Sequence, residues 1–350
     1  MDRLPLGAGE QRPDRTARRM KMALNSRPVI AIIDDYECFV APLHAYATLR
    51  ESLPDAQVRV IGQQPLGEAS IAQLIDVEYL VLIRERTRVT ADLLDRLPAL
   101  KVIVQTGTIG KGITSHVDAE ACALRGIEIL EGATDGHAAA ELTWALILAA
   151  HRRLPQYVGS LRAGRWHQGS GVRTIGEALR GKTLGILGYG RIGQLLGRYA
   201  RAFEMDVLVW GREKSLAQAA IDGVPASATR AALFESSDVL AVQLRLNSET
   251  LHSVTADDLS LMKTSAMLVN TSRASLLAPG ALQQALERGR PGFAAVDVFD
   301  SEPLGPAATL FDMENCLSTP HIGYVERNSY EVLFSSAFAN LVEHVRAAAE

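Results

Sequence analysis

The stretch TLGILGYGRIG, from Thr183 to Gly193, decides the fold of this chain. Its first five residues predict a buried strand, and a helical run follows its last glycine. Gly188 permits a tight turn, Gly190 lets the backbone approach a pyrophosphate, and Gly193 lets the helix pack closely on the strand. The helix N-terminus adds free N–H groups and a positive partial charge. Because strand, turn and helix occur together, the pattern predicts dinucleotide binding rather than a structural turn, with contacts from Gly188, Gly190, Arg191, Ile192 and Gly193.

Short β-branched runs alternate with helical patterns on both sides of this turn. Such alternation predicts an α/β fold with two Rossmann-like, doubly wound parallel-sheet domains. The predicted strands of the first series are Val29–Ile33, Val58–Ile61, Tyr79–Ile83, Lys101–Gln105 and Ile127–Leu130. Those of the second are Thr183–Leu187, Asp206–Trp210, Asp238–Leu244, Ala266–Thr271 and Phe293–Val298. A long apolar helix (137–154), a polar stretch (155–180) and a C-terminal helix (326–350) complete the pattern, and the cleft between the domains is the expected ligand site.

Length and composition restrict the class of protein. The chain has 350 residues, 47% hydrophobic and 22% charged, with a net charge of −4, so it is long enough for two domains. This charge gives no reason to expect nucleic acid or a membrane as a partner. Three distant cysteines form no CxxC pair, which indicates ordinary thiols in the cytoplasm and no metal site. The longest apolar stretch, Ala138 to Ala150, is too short to span a bilayer.

The first 27 residues differ from the rest of the chain. They carry seven arginines and lysines against three acidic residues and contain no apolar segment of a secretory signal. We therefore predict a disordered extension over residues 1–27, or a start of translation at Met20 or Met22.

The residues after the second strand of the glycine-rich unit bear on the choice of cofactor. An acid that binds the adenosine ribose normally stands there, whereas this chain has Trp210, Gly211 and Arg212. Without a carboxylate to repel a 2′-phosphate, and with an arginine to pair with it, the pattern favours NADP(H) over NAD. The alternative is that Arg212 stacks on adenine in an NAD site.

Three later segments place reactive side chains after predicted strands, where ligands of parallel sheets bind. They contribute Arg273, then Asp297 and Glu302, then His321. A histidine can deliver the proton that carbonyl reduction requires, and a carboxylate bonded to it fixes its tautomer. An arginine can hold a substrate carboxylate with two hydrogen bonds. Each residue alone also has an ordinary structural interpretation.

Together these segments resemble the D-2-hydroxyacid dehydrogenase family, which includes phosphoglycerate dehydrogenases and glyoxylate/hydroxypyruvate reductases. The likeness rests on GYGRIG (188–193), NTSR (270–273), VDVFxxEP (296–303) and TPHIG (319–323), in this order, and extends from about Val29 to the C-terminus. It implies hydride transfer between NAD(P)H and a small 2-oxo acid, with Arg273 on the substrate carboxylate, and Glu302 and His321 as the acid–base pair.

The resemblance also implies an arrangement of domains and further contacts. The substrate domain, flavodoxin-like, takes residues 28–130 and 325–350, and the dinucleotide domain takes residues 131–324. Family members are usually homodimers. The implied cofactor contacts are Thr271, Ser272, Asp297, Gly323 and Thr108, and the implied substrate contacts are Arg84 and Gly107 beside Arg273.

Three departures from the family pattern stand out. Ala274 follows the arginine where the family usually has glycine, and Gln243 and Arg245 stand where a histidine and a proline are common. The segment 107–116 is longer than the usual glycine turn, so Arg84, Glu85, Arg86 and His116 are expected to shape substrate choice.

Competing interpretations are weaker. Formate dehydrogenases have a similar fold but carry Gln in place of the glutamate, so Glu302 argues against formate. Only about 27 residues follow Gly323, which argues against an added regulatory domain but leaves a truncated phosphoglycerate dehydrogenase open. The alternative from another class is a dinucleotide-sensing, peptide-binding scaffold of the C-terminal binding protein type.

Overall fold

The computed structural model describes residues 27–63, 66–110, 115–166, 175–305 and 310–348. The predicted N-terminal extension lies, apart from Arg27, outside the described residues, as does the middle of the long 107–116 segment. In the described part of the chain, none of the helices has both the length and the apolar character that a membrane crossing needs.

The chain divides into two compact units. The first contains the chain up to Thr108, the segment His116–Ala133 and the chain from Phe334 onward, and the second contains Ile109–Ser115 and Thr134–Leu333. The first unit is therefore discontinuous in sequence. The observed divisions differ from the predicted ones at three places. Residues 131–133 group with the first unit, whereas residues 325–333 and the described residues of the 109–115 segment group with the second.

The first unit is a parallel sheet of five strands: β1 (Val29–Ile33), β2 (Gln57–Ile61), β3 (Tyr79–Leu82), β4 (Val102–Gln105) and β5 (Glu128–Glu131). Their order is β2-β1-β3-β4-β5, the flavodoxin-like arrangement. The described residues between them form the short helices α1 (His44–Ser52), α2 (Glu68–Ala72), α3 (Ala91–Asp95) and α4 (Ala119–Leu124). The central strands are buried on both faces, as continuous apolar runs such as VIAII in β1 require.

The second unit begins with two helices, α5 (His137–His151) and α6 (Leu154–Arg162). Its strands are β6 (Thr183–Leu187), β7 (Asp206–Trp210), β8 (Val239–Val242), β9 (Met267–Asn270), β10 (Phe293–Val296) and β11 (Cys316–Ser318). The helices between them are α7 (Arg191–Ala202), α8 (Glu213–Ile221), α9 (Arg230–Ser236), α10 (Ala256–Ser260) and α11 (Ala281–Glu287). Short 3₁₀ turns lie at Ala274–Leu276 and Leu310–Asp312, and α12 (Arg327–Ala347) follows.

The strand order of the second sheet is β11-β10-β9-β8-β6-β7, and every pairing is parallel. Beyond β7, Val209 pairs with Ala226 in a single parallel bridge. This short segment takes the place of the outer strand of a Rossmann sheet. The chain then crosses over, and β8 lies beside β6. The carboxyl ends of β6 and β8 therefore form the topological switch point at which such sheets bind ligands.

Apolar side chains fill both faces of this sheet. Ile186 and Ala241 lie in a cluster with α5 and α7, whereas their neighbours Leu187 and Val242 lie in a second cluster with α9, α10 and α11. This alternation follows from the two-residue period of a strand. Helix α5 is largely apolar because Ala140, Trp144, Ile147 and Ala150 are buried against the sheet and α7. The prediction of two doubly wound α/β units is confirmed.

Three local predictions were wrong. The helix predicted to reach residue 154 ends at His151, because Arg153 adopts a left-handed backbone with φ of 53°. Helix α6 then occupies the beginning of the stretch predicted to be polar connection. Strand β11 was missed, since three residues are too few to give a periodic signal.

Candidate cofactor and active site

The glycine-rich turn lies at the switch point and makes a cradle for a phosphate. Gly188 has φ of 96°, and its N–H donates to the carbonyl of Trp210 at 2.8 Å. A Cβ at Gly188 would lie 2.7 Å from the carbonyl oxygen of Gln243, and one at Gly193 would lie 2.7 Å from that of Gly188. Both positions therefore require glycine.

The N-terminus of α7 fits a bound anion. Gly190 is its N-cap and provides no side-chain cap, so the first-turn N–H groups of Arg191, Ile192 and Gly193 have no intrahelical acceptor. A Cβ at Gly190 would meet no heavy atom of the described residues within 4 Å, which leaves the approach open. The Arg191 side chain turns away and donates to the carbonyl of Thr134 at 2.6 Å. The residues present thus fit the pyrophosphate of a dinucleotide.

Arg212 follows β7, where the adenosine ribose of a dinucleotide is normally bound. Its guanidinium forms an ion pair with Glu249, with Nη1 and Oε2 2.8 Å apart. Both side chains are largely exposed, at 65% and 71%. The sequence argument assumed that no carboxylate was present here, and the structure supplies one from another loop.

A group of hydroxyl and amide side chains joins the ends of β8 and β9. The hydroxyls of Thr271 and Thr143 lie 2.6 Å apart, and Gln243 donates to Thr271 at 3.4 Å. Ser272 donates to the carbonyl of Val242 at 2.9 Å. The N–H of Gln243 donates to the carbonyl of Leu187, directly before the glycine turn, at 2.8 Å, so Gln243, where the family commonly has histidine, links Thr271 to the end of β6.

Arg273 stands at the end of β9 on a firmly bonded turn. Asn270, which is almost fully buried, donates from Nδ2 to the carbonyl of Arg273 at 2.9 Å and accepts from the N–H of Ser272 at 3.1 Å. Arg273 itself has extended backbone and a half-buried side chain. Its Nη1 donates to the carbonyl of Ser272 at 2.7 Å. The turn thus fixes where the guanidinium leaves the main chain.

Glu302 and His321 form the hydrogen bond that the sequence suggested. Nδ1 of His321 lies 2.5 Å from Oε2 of Glu302, while Oε1 accepts the N–H of Phe299 at 2.8 Å. The ring of Tyr324 packs edge-on against His321 at 5.7 Å. A carboxylate accepts only, so Nδ1 carries a proton and Nε2 is left to exchange one.

Asp297 anchors the loop that carries His321. It is completely buried, and its two oxygens accept hydrogen bonds from the Thr319 hydroxyl (2.6 Å) and the N–H groups of Ile322 (2.9 Å) and Gly323 (2.8 Å). Burial raises the pKa of Asp297, and the bonds from Thr319 and Ile322 oppose the rise. His321 has φ of 51°, so these bonds hold a strained backbone in place.

The substrate contacts predicted in the first unit lie at the ends of β3 and β4. Arg84 has φ of 55°, its N–H donates to the Thr106 hydroxyl at 3.0 Å, and its guanidinium lies 3.5 Å from Glu85. Gly107 has φ of 112° and accepts from the N–H of Gly132 at 2.8 Å. Thr108 is exposed.

Arg86 and His116 were expected to shape substrate choice, but their contacts favour a structural role. The guanidinium of Arg86 is 5% exposed and donates to the carbonyl of Asp34 at 2.8 Å and to Glu37 at 2.7 Å. His116 is buried, with Nε2 3.2 Å from Oε1 of Gln105.

Asp34 follows β1 at the switch point of the first sheet and was not singled out from the sequence. It is fully buried and accepts from the Thr87 hydroxyl at 2.9 Å. Burial raises its pKa to about 6, against the lowering effects of Thr87 and Arg86. Asp34 directly follows the apolar strand β1, and this position after a strand could have marked it as a candidate site residue from the sequence.

Comparisons with known proteins show the family of the chain. Residues 144–323 match the family described as D-isomer specific 2-hydroxyacid dehydrogenase, NAD binding domain. Glyoxylate reductase of Aeropyrum pernix is 36% identical over 73% of this chain and 76% of its own length. D-3-phosphoglycerate dehydrogenase of Methanocaldococcus jannaschii is 35% identical, but the match spans only 47% of that protein.

A solved structure is similar over nearly the whole length. The putative D-3-phosphoglycerate dehydrogenase oxidoreductase from Ralstonia solanacearum shares 50% identity, with a TM-score of 0.87, over 91% of this chain and 95% of its own. The chain belongs to the D-isomer specific 2-hydroxyacid dehydrogenase family. It is a dehydrogenase that uses a nicotinamide dinucleotide to interconvert 2-hydroxy and 2-oxo acids.

Proposed function

We propose that this enzyme reduces a small 2-oxo acid to the D-2-hydroxy acid, with His321 as general acid and Glu302 as its partner. The bond between Nδ1 of His321 and Oε2 of Glu302 carries this proposal. It supports proton exchange at Nε2, which carbonyl reduction requires and formate oxidation does not.

In the proposed reaction, the proton is transferred by His321. The bound dinucleotide supplies the hydride that the substrate carbon accepts. The imidazolium of His321 gives its Nε2 proton to the carbonyl oxygen, and the Glu302 carboxylate stabilises the imidazolium before this transfer. In the reverse direction, neutral His321 accepts the hydroxyl proton at Nε2.

Arg273 is the proposed clamp for the substrate carboxylate. A guanidinium can make two parallel hydrogen bonds to a carboxylate, which fix the orientation of the adjoining carbonyl. The bonds from Asn270 support this role, because they restrain the main chain of Arg273. One relative is named glyoxylate reductase and another hydroxypyruvate reductase, so glyoxylate and hydroxypyruvate are the first substrates to try.

NADP(H) is the proposed cofactor in preference to NAD(H). Arg212 supports this choice, since its guanidinium follows β7 and is exposed enough to reach a 2′-phosphate. The remaining proposed cofactor contacts are made by Thr271, Ser272, Asp297, Gly323 and Thr108. A homodimer, a cytoplasmic location and the division into substrate and dinucleotide domains stay predictions.

A panel of 2-oxo acids, assayed with NADPH and NADH by absorbance at the nicotinamide band, tests the proposal. We expect turnover with at least one short acid and loss of about 100-fold in kcat/KM for Arg273→Ala, because the clamp acts on the transition state. Arg180→Ala, which removes an exposed arginine paired with Glu204, is the matched control. An unchanged kcat/KM in Arg273→Ala would remove the clamp from the mechanism.

A further inference from the structure

Arg212 and Glu249 meet although they lie on different segments. Arg212 follows β7, Glu249 lies in the loop after β8, and β6 runs between these two strands in the sheet. The two side chains thus meet beside β6, the strand that leads into the glycine turn. Their 2.8 Å contact places a carboxylate at the adenosine end of the proposed cofactor site.

The loop that carries Glu249 is a turn held by several hydrogen bonds. Asn247 accepts the N–H groups of Glu249 (2.9 Å) and Thr250 (3.0 Å) on Oδ1, and its own N–H donates to the Thr250 hydroxyl at 2.9 Å. That hydroxyl donates to the carbonyl of Arg245 at 2.7 Å, and Thr250 is buried. The main chain of Glu249 is therefore fixed, and its carboxylate is held within reach of Arg212.

We propose that Glu249 is a specificity-determining residue, which competes with the 2′-phosphate of NADP(H) for Arg212. This inference rests on the proposed role of Arg212 in cofactor binding. A 2′-phosphate must take over the hydrogen bonds of the guanidinium and meets a like charge while Glu249 stays nearby. Glu249 therefore reduces the preference for NADP(H) that Arg212 creates.

The same carboxylate favours NAD(H). A ribose without the 2′-phosphate has a free hydroxyl there, which can donate to an acceptor carboxylate. Dinucleotide sites commonly take that acceptor from the end of the second strand, and this chain supplies it from the loop after β8. Because the Arg212–Glu249 pair is exposed, its bonds exchange at small cost, and each cofactor finds a usable partner.

The binding of two adenosine fragments tests the proposed role of Glu249 without an enzyme assay. Titration calorimetry would give the Kd of 2′,5′-ADP, which carries the 2′-phosphate, and of 5′-AMP, which lacks it. We expect Glu249→Gln to tighten 2′,5′-ADP by about three- to ten-fold and to leave 5′-AMP unchanged or up to about three-fold weaker. Glu235→Gln, which removes an exposed carboxylate at the end of α9, should change neither Kd.

A double-mutant cycle separates competition for Arg212 from general repulsion. In an Arg212→Gln background, we expect Glu249→Gln to give less than about a two-fold gain in 2′,5′-ADP affinity. With Arg212 present, the gain in 2′,5′-ADP affinity produced by Glu249→Gln should also be smaller at about 1 M salt than at about 0.1 M salt, because the Debye length falls from about 10 Å to about 3 Å.

Three results would overturn the inference. They are an unchanged ratio of the two Kd values in Glu249→Gln, an equal gain with and without Arg212, and no binding of either fragment by the wild-type protein. Failure of all 2-oxo acids as substrates would instead contradict the proposed function, since the fragment ratio is measured without them.

Discussion

The two ends of the proposed cofactor site are held in different ways. At the reactive end, the loop of His321 is held by the completely buried carboxylate of Asp297, and the paired side chains of His321 and Glu302 are 23% and 33% exposed. At the adenosine end, Arg212 pairs with Glu249 while both side chains are largely in solvent.

This contrast predicts how each end responds to substitution. Buried hydrogen bonds cannot be replaced by water, so a lost partner at the reactive end leaves an unsatisfied group and a displaced catalytic side chain. Exposed charges are screened and hydrated, so changes at the adenosine end should shift affinities by small factors. We therefore expect substitutions at the reactive end to change the rate of the reaction, and substitutions at the adenosine end to change the preference between the two dinucleotides.

The largest effect is expected from His321→Asn, which keeps a residue that tolerates positive φ and removes the acid. We expect kcat to fall by about 100-fold or more, since general acid catalysis contributes about 10²–10⁴-fold. His252→Asn is the control, because His252 is exposed and has φ of 54°. A near-normal kcat in His321→Asn would show that His321 is not the general acid.

Asp297→Asn tests whether the buried anchor matters as much as the acid. The new amide has only one acceptor oxygen, so its NH₂ group must face one of the donors Thr319, Ile322 and Gly323. We expect kcat to fall by about 10- to 100-fold and stability to fall by about 1–3 kcal/mol. Stopped-flow turnover and thermal unfolding measure the two effects. Asp300→Asn, an exposed aspartate on the same loop, should change neither.

Glu302→Gln addresses the coupling to His321 directly. Replacing the carboxylate by a neutral amide weakens the hydrogen bond that fixes the tautomer and orientation of the His321 imidazole. We expect about a 10-fold lower kcat for reduction. Steady-state rates at saturating substrate give this value, and a kcat equal to that of the wild type would show that Glu302 does not assist His321.

The smallest effect is expected from Arg212→Gln. The KM for NADPH should rise by about three- to ten-fold and the KM for NADH should change by less than about two-fold, because only the 2′-phosphate loses a charged partner. Initial rates with both cofactors give these values. A rise of 100-fold or more in the KM for NADPH would show that the adenosine end depends on fixed geometry as strongly as the reactive end does.

Much of the fold was predictable because the strands carry a strong local signal. Strands β1, β6 and β7 lie where their apolar, β-branched runs placed them, and the glycine turn follows β6. The failures were also local. Helix α6 opens with a proline at its first turn, yet the glycines further on suggested a connection, and β11 is too short for periodicity to be detected.

The candidate reactive side chains were chosen from their types and their places after strands, and the pairing of Glu302 with His321 was expected, but other hydrogen-bond partners were not. Asp297 was assigned to the cofactor, and nothing in the sequence shows that its oxygens bind the main chain of the His321 loop. Gln243 was noted as a departure from the family, yet its link to Thr271 depends on β8 and β9 being neighbours.

The sequence by itself determined the two α/β units and the glycine cradle and indicated the candidate reactive side chains, because each depends on short-range periodicity and residue type. Only the tertiary structure decided which charges meet. Glu249 is 37 residues from Arg212, and it reaches the guanidinium because β7 and β8 lie on either side of β6. Contacts of that kind follow from strand order, which no local pattern of residues contains.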